Sequence, residues 1–309
     1  SADLPDAAQL DVRGPIAITT DGYVVDPPFF PGGDIGRLAV FGTCNDLAVS
    51  GARARALTLA LVLEEGLPIA VLHRVLASVR DAAAEADVEV VTGDTKVVGR
   101  STGDATHPGR GPGLHLNTAG VGEVVFGPLG RSRVRPGDRL LLSGPLGAHG
   151  VAVLAAREGL PVATGISSDC ALLWPLVERL SALGPEIRFL RDATRGGLAS
   201  VANELCRVMS FGIELRERDV PVDPDVAIAL DLLGLDPLEV ANEGVLVAVV
   251  AADAAEHALS LLHGHPTGAR AAISGEITAD EQGRVVLETR IGGHRLVDFP
   301  RGLLLPRIC

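Results

Sequence analysis

The chain has 309 residues, of which 47% are hydrophobic and 3% aromatic, and its formal net charge is −12. This length allows two domains of ordinary size, and a core of small aliphatic residues is typical of α/β or α+β proteins rather than of disordered chains. The 27 Lys and Arg residues are spread along an acidic chain, which argues against a nucleic-acid partner. No apolar run reaches about 18 residues, which argues against a membrane-spanning helix.

The first part of the chain predicts an α+β unit. Strands are predicted at residues 16–25, 57–63, 88–91 and 117–125, and helices at 34–49 and 68–86. β-branched runs favour the strands, and apolar residues at helical spacing favour the helices. Asp34 is the expected N-cap of the first helix.

The second part predicts another α+β unit after a connection rich in Pro and Gly. Strands are predicted at 139–142, 187–190, 246–250, 272–277, 285–288 and 294–297, and helices at 151–158, 171–183, 197–209 and, after an N-cap at Asp253, up to 263. The predicted organisation is therefore two domains at 1–127 and 138–297, a linker at 128–137 and a tail at 298–309.

Four acidic residues flank strand ends or helix starts, next to Gly, Thr or Asn. They are Asp21, Asp46, Asp94 and Asp192. Carboxylates in such loops bind Mg²⁺, which prefers oxygen ligands and shares its shell with phosphates. The alternative is that each is a helix cap or turn residue.

The sequence GDTKVV combines Gly93, Asp94, Thr95 and Lys96 in a run that could hold a phosphate with its metal. The GxxxxGK[ST] spacing of a P-loop is absent. An ordinary turn with an exposed lysine is the alternative interpretation.

Two further segments combine polar residues with glycine. In RDATRGGLA, Asp192 and Thr194 precede a glycine pair at the start of a predicted helix. This arrangement could bind an anion at the helix N-terminus. An ordinary capped helix is the alternative interpretation. In ANEG, Asn242 and Glu243 precede a strand, where a surface carboxylate is the usual explanation.

The cysteines form no CxxC pair, which excludes a zinc knuckle or a thioredoxin-like motif and favours a cytoplasmic protein with reduced thiols. Cys309, after LLLPRI, is the informative one, since Arg307 can lower the pKa of its thiol. From Asp298 the tail spans about 35–40 Å at roughly 3.3 Å per residue, enough to carry a thiol-bound group to a distant site. An incidental cysteine in a disordered end is the alternative.

Together, the segments beginning TTDGYVVDPPFFPGGD, VTGDTKVV, RDATRGGLA, ANEG and the final PRIC closely resemble the HypE family of hydrogenase maturation proteins over nearly the whole chain. This family belongs to a superfamily with aminoimidazole ribonucleotide synthetase, selenophosphate synthetase and thiamine-monophosphate kinase. The resemblance implies two α+β domains and a homodimer whose N-terminal domains close a β-barrel, with ATP in a cleft near the interface. Family members usually begin with a longer Gly-rich segment. This sequence starts at SADLPDAAQL, so that segment is either absent or trimmed.

The resemblance also implies the roles of the candidate residues. Asp21, Asp46, Asp94 and Asp192 would surround Mg²⁺-ATP, with Asp46, Asp94 and Asp192 as metal ligands, Asp6 as an additional acidic position, and Gly93, Thr95, Thr194 and Asn242 as nucleotide contacts. Lys96 and Glu243 would act in dehydration, and Cys309 would accept the carbamoyl group. The implied partners are the carbamoyltransferase HypF and the HypC–HypD complex, which receives cyanide for the iron of [NiFe]-hydrogenase.

Two other functions fit parts of the pattern. A small-molecule kinase or a selenophosphate synthetase of the same superfamily would use the same acidic residues but would not require the PRIC ending. A nucleotide-regulated docking module could use the LLLPRIC tail as a partner-binding peptide. Phosphate release with and without Cys309 separates these functions from a carbamoyl dehydratase.

Overall fold

The first sheet of the computed structural model is built from strands of the N-terminal part. The structure describes residues 7–11, 13–99, 113–160, 165–207, 209–280 and 282–300. The strand order is β1 (Ile16–Tyr23), β6 (Leu114–Val124), β4 (Ala52–Glu64) and β5 (Glu89–Val98). β4 and β5 run parallel, and the other neighbours run antiparallel. A short hairpin of β2 (Phe29–Phe30) and β3 (Gly33–Asp34) leads into the first helix.

Helix α1 (Ile35–Val49) is buried on nearly all sides, and α2 (Ile69–Glu85) packs beside it. The predicted N-cap is confirmed, because the Asp34 side chain accepts hydrogen bonds from the first-turn N–H groups of Gly36 and Arg37. A helix that exposes no face to solvent must pack against other parts of the protein on every side. The start of α1 packs in the N-terminal core and its end in the core of the second unit, so α1 joins the two.

The second unit is built on a larger sheet. Its order is β13 (His294–Leu296), β12 (Val285–Glu288), β9 (Gly212–Arg216), β11 (Ala272–Thr278), β7 (Arg139–Leu142), β10 (Leu246–Val250) and β8 (Ile187–Asp192). The helices are α3 (Ala148–Glu158), α4 (Trp174–Leu180), α5 (Gly197–Cys206), α6 (Pro224–Leu233) and α7 (Ala255–His263). Strand β10, which lies between β7 and the edge strand β8, is buried at every residue, which explains its unbroken apolar sequence LVAVV.

The structure confirms the α+β class and corrects several local predictions. The sequence GDTKVV is not a turn after a strand but the continuation of β5. Strand β9 and helix α6 were not predicted, and α4 is shorter than predicted. Asp253 is not an N-cap, because it lies inside a 3₁₀ turn that precedes α7. The domain limits stay a prediction. Within the described residues, no helix is long and apolar enough to span a membrane.

Candidate active site

A cluster of carboxylates forms where the N-terminal sheet, α1 and the edge strand β8 meet. Asp21 lies on β1, Asp46 on α1 and Asp192 at the end of β8. The alternation of β1 directs Thr19 and Asp21 to the side that α1 covers, and the Thr19 hydroxyl donates to Asp46 Oδ2 at 2.8 Å. The structure thus brings together three of the four aspartates singled out in the sequence.

The pKa values of Asp46 and Asp192 respond to burial and to repulsion by neighbouring carboxylates. Burial, followed by the negative charges of Asp46 and Asp21, raises the pKa of Asp192 to about 7. Burial also raises the pKa of Asp46, against the lowering effect of the Thr19 hydrogen bond. Acids that raise one another's pKa share a region of strong negative potential. A cation bound among them would relieve this repulsion, which is the electrostatic character expected of a metal–phosphate site.

Glu243 is the buried acid of the same cluster. It is 4% exposed, and burial first, then the charges of Asp169 and Asp192, raise its pKa well above the usual range. Among the described residues, its Oε1 atom has no hydrogen-bond partner. Buried polar atoms are normally paired, so an unpaired carboxyl oxygen in a cluster of acids is a candidate contact for a ligand. Glu243 is therefore not the surface carboxylate that its turn sequence usually indicates.

Asn242 is fully buried, and its side chain holds the backbone. Its carbonyl oxygen accepts from the N–H of Gly147 at 2.7 Å. Its amide donates to the carbonyl oxygens of Ala193 and Val240 at 3.1 and 2.9 Å. These bonds tie the turn at 241–244 to the loop after β8 and to the start of α3. The side chain that we expected at the nucleotide is thus engaged in holding Glu243 in place.

Two polar residues of this site, Asn45 and Asp169, were not predicted from the sequence. Asn45, next to Asp46, donates to the carbonyl oxygen of Ala171 at 2.9 Å and accepts from the N–H of Leu173 at 2.8 Å. Asp169 accepts from the backbone N–H groups of Glu243 and Gly244. Neither lies in a motif with a known spacing. The only signal was a polar side chain inside an otherwise apolar segment.

The glycine pair after Asp192 is required by packing. Gly196 and Gly197 have φ values of +75° and +57°, and a Cβ on Gly197 would lie 2.5 Å from the carbonyl oxygen of Val240. The pair lets the start of α5 approach the segment that leads to Glu243. Thr194 is half-buried, and its carbonyl oxygen accepts from the N–H of Gly197 at 2.8 Å.

Asp94 and Lys96 lie on the other face of the sheet. Lys96 pairs in register with Val62, which is 36% exposed, whereas the neighbouring Leu61 faces the helices and is buried. Residues paired across two strands share a face, so Lys96 and Asp94 point away from Asp21. They form an exposed ion pair at 2.6 Å, and the hydrogen bond from Lys96 lowers the pKa of Asp94.

The spacing between strands gives the distance between Asp94 on β5 and Asp21 on β1. Register neighbours on β1, β6, β4 and β5 are Asp21, Thr118, Leu59 and Gly93. Three interstrand spacings of about 4.8 Å put Asp94, beside Gly93, about 14 Å from Asp21. Gly93 itself is required by packing, since a Cβ there would lie 2.2 Å from the carbonyl oxygen of Leu59. Thr95, which follows Asp94 on β5, is exposed.

The donor set of the cluster fits a magnesium–phosphate complex rather than a protein-only metal centre. In the part of the chain that the structure describes, no group of three or more His, Cys, Asp or Glu side chains could hold a metal ion. The acids that do gather, Asp21, Asp46 and Asp192, offer oxygen atoms only. Mg²⁺ takes one or two carboxylates and completes its shell with water and phosphate oxygens, which suits these residues.

Two predicted site residues, Asp6 and Cys309, lie outside the described residues. The described chain ends at Pro300, and Pro300 packs against Gly196, since a Cβ on Gly196 would lie 3.6 Å from its Cγ atom. Gly196 belongs to the loop that follows Asp192. Pro300, the last described residue, therefore lies beside the loop that follows Asp192.

The two-domain fold and this cluster define a class of protein. Residues 5–124 match the N-terminal domain and residues 135–288 the C-terminal domain of the AIR synthase related proteins.

Within this class the similarity is strongest to one group. The chain is 49% identical over 306 residues to the carbamoyl dehydratase HypE of Azotobacter vinelandii, covering 98% of this chain and 87% of the relative. A crystal structure of the hydrogenase maturation protein HypE in complex with ATP is 46% identical, with a TM-score of 0.92, covering 100% of this chain and 91% of that one. A HypE–HypF complex is 43% identical, with a TM-score of 0.86 and coverages of 92% and 90%. The chain belongs to the HypE family of hydrogenase maturation enzymes.

Proposed function

We propose that this chain is an ATP-dependent carbamoyl dehydratase that converts an S-carbamoyl group on Cys309 into a thiocyanate. The observation that carries the proposal is the buried Glu243 oxygen, which lacks a hydrogen-bond partner among the described residues and lies in the acidic cluster. The last described residue, Pro300, lies beside the loop that follows Asp192. Nine further residues span about 30 Å when extended, so the Cys309 sulfur can reach Glu243.

The proposed reaction proceeds in two steps. The carbamoyl oxygen attacks the γ-phosphorus of ATP and ADP leaves, which turns a poor leaving group into phosphate. The carbon–oxygen bond then breaks, phosphate departs, and nitrogen gives up its protons as the C≡N bond forms on sulfur. Magnesium, held among Asp21, Asp46 and Asp192, would neutralise the phosphate charge during the transfer.

Glu243 is the proposed base for the proton on nitrogen. A base for such a step needs a proton affinity well above that of a free carboxylate, and burial among acids provides it. Because the side chain is only 4% exposed, water has little access to the carboxyl group. We propose that Asn242 holds the turn that carries this base, and that Gly93, Thr95 and Thr194 lie around the nucleotide.

We further propose that two copies of the chain pair through their N-terminal sheets and so complete the site. Within the described residues, no helix covers the face that carries Lys96, and this face exposes apolar side chains, among them Ile18 at 69% and Val98 at 41%. Because Asp94 and Lys96 point away from Asp21 in one chain, a second copy can supply these groups to the carboxylate cluster. Exposed apolar residues on a sheet favour such a partner.

The remaining parts of the proposal concern the pathway. A solved HypE neighbour is a complex with HypF, which supports HypF as the carbamoyltransferase that loads Cys309. The proposed receiver of the cyanide is a HypC–HypD complex, from which it reaches the iron of [NiFe]-hydrogenase. We propose a cytoplasmic location for these steps.

Phosphate release after carbamoylation tests the proposal. The full chain is incubated with HypF, carbamoyl phosphate and Mg²⁺-ATP, repurified, and given fresh Mg²⁺-ATP. The proposal predicts one equivalent of phosphate from the wild-type chain and none from Cys309→Ala. Equal release by Cys309→Ala would instead indicate a kinase or synthetase that does not use this thiol. Binding of ATP with no release by either chain would indicate a docking module.

A further inference from the structure

Asp169 lies directly beneath the turn that carries Glu243. Both of its carboxylate oxygens are 3.2 Å from the backbone nitrogen of Glu243, and Oδ2 is also 3.2 Å from that of Gly244. The backbone N–H of His149, in the first turn of α3, donates to the same carboxylate. The acid is therefore held by N–H groups of two separate segments, and the positive end of α3 favours its charge.

The backbones of these two segments are in close contact. A Cβ on Gly244 would lie 2.0 Å from the backbone carbonyl oxygen of Asp169. The carbonyl oxygen of Glu243 accepts from Ala171, two residues after Asp169. The backbone on both sides of the Glu243 side chain is thus attached to residues 169–171.

The remaining bonds of the turn do not explain its position. Asn242 fixes the residue before Glu243 to Ala193 and Gly147, but the N–H groups of Glu243 and Gly244 are oriented by the Asp169 carboxylate. Part of Asp169 is exposed, but the carboxyl group is desolvated, and this burial raises its pKa to about 6. A desolvated carboxylate is stable only where N–H donors surround it, as here.

We propose that Asp169 is a positioning residue for Glu243, whose carboxylate fixes the direction in which the Glu243 side chain meets the carbamoyl group. This inference rests on the proposed dehydration. A displacement of about 1 Å in a catalytic group costs on the order of 100-fold in rate. Because the Asp169 oxygens accept from the backbone N–H groups of Glu243 and Gly244, we expect its loss to affect the chemical step and not ATP binding.

The test is single-turnover dehydration by the full-length Asp169→Asn chain. Asn keeps the size of Asp but replaces one acceptor oxygen with an amide that repels the N–H groups above it. The chain is carbamoylated with HypF, mixed with Mg²⁺-ATP, and followed by intact mass for loss of one water. We expect a rate about 100-fold lower than wild type, with unchanged ATP affinity.

Two further variants make the test specific. Asp138→Asn changes another buried carboxylate, which accepts from the N–H of Arg135 at 2.8 Å away from the cluster, and should dehydrate at the wild-type rate. Adding Asp169→Asn to Glu243→Gln should slow the reaction no further, because positioning a residue that no longer acts has no effect.

Each outcome decides the inference. A wild-type dehydration rate for Asp169→Asn overturns the inference. So does a loss of ATP affinity combined with a melting temperature below that of Asp138→Asn, because that result indicates a structural role alone. If Asp169→Asn does not fold, Gly244→Ala displaces the same turn from Asp169, and wild-type dehydration by that variant overturns the inference. If the wild-type chain itself shows no dehydration in this experiment, the proposed function fails, and this result is distinct from a failure of the inference about Asp169.

Discussion

The side chain of Asn45 on α1 is hydrogen-bonded to the backbone of Ala171, whose carbonyl oxygen accepts from its amide at 2.9 Å. The neighbouring residue on α1 is Asp46, and the N–H of Ala171 donates to the carbonyl oxygen of Glu243. One amide side chain therefore connects an acid of the N-terminal unit to the buried acid of the second unit. This connection keeps the two halves of the carboxylate cluster in a fixed relation.

Replacing Asn45 with Ala should lower the free energy of unfolding by about 2–4 kcal/mol, because it leaves two backbone groups, on Ala171 and Leu173, buried without a partner. Urea denaturation measures this. Asn117→Ala is the matched control, since its amide donates to the backbone carbonyl oxygen of Asp21 at an exposed position, and it should cost less than about 1 kcal/mol. Equal costs for the two variants would contradict the role of Asn45.

The ligand-free protein should become less stable as the pH rises from about 4 to about 7. Burial and the neighbouring acids raise the pKa of Asp192 to about 7 when folded, against about 3.9 when unfolded. In this window the folded chain holds a proton on Asp192 that the unfolded chain releases, so the contribution of this group to stability decreases as the pH rises and is constant above the window. The loss is on the order of 4 kcal/mol.

Thermal melting between pH 4.5 and 8 measures this dependence. Asp192→Asn should make the decrease shallower by the contribution of this one carboxyl group, because the amide does not ionise. Burial also raises the pKa values of Asp46, Asp169 and Glu243, and these groups account for the remaining decrease. Asp94→Asn is the control and should leave it unchanged, since hydrogen bonding to Lys96 lowers the pKa of Asp94. A decrease as steep in Asp192→Asn as in the wild-type chain would show that other groups are responsible.

Mixing two inactive variants should restore dehydration if the site is shared between copies. Lys96→Ala and Glu243→Gln chains are each expected to be inactive. In a mixed dimer, the Glu243 of one chain meets the Lys96 of the other, and one intact site forms. The measurement is the rate of thiocyanate formation after the two chains are unfolded and refolded together. A mixture as inactive as its components would contradict a shared site.

Gly197 should be far more sensitive to substitution than Gly234. Both have positive φ, +57° and +67°, but a Cβ on Gly197 would meet the carbonyl oxygens of Val240 and Leu238, whereas Gly234 has nothing within 4 Å. Gly234→Ala should cost about 1 kcal/mol from the left-handed backbone alone. Gly197→Ala should cost at least about 3 kcal/mol, because it adds a collision with backbone. Denaturant unfolding of the pair measures the difference.

The sequence predicted the elements whose signal is local. β10 was predicted with its correct limits because LVAVV is an unbroken apolar run, and α1 because Asp34 caps it. Helix α6 was missed although Pro224 at its start and Gly234 at its end are ordinary helix signals. Strand β9 has five residues, too few for a clear alternation.

The site was predictable only as far as its motifs extended. Asp21, Asp46 and Asp192 come together as expected, but their convergence depends on the packing of α1 against β8, which no local pattern encodes. The face on which Lys96 lies follows from the register of β5 with β4, which is a property of the sheet. Asp169 was missed because its partners are backbone N–H groups, which leave no mark in the sequence.

The central claim is that the sulfur of Cys309 carries the group that is dehydrated beside Glu243. Intact mass spectrometry of the wild-type chain, loaded by HypF and then given Mg²⁺-ATP, tests it most directly. We predict the mass increment of one carbamoyl group, located on Cys309 by peptide mapping, followed by the loss of one water. A carbamoyl adduct that keeps its water in the presence of Mg²⁺-ATP, or one carried by another residue, would contradict this account.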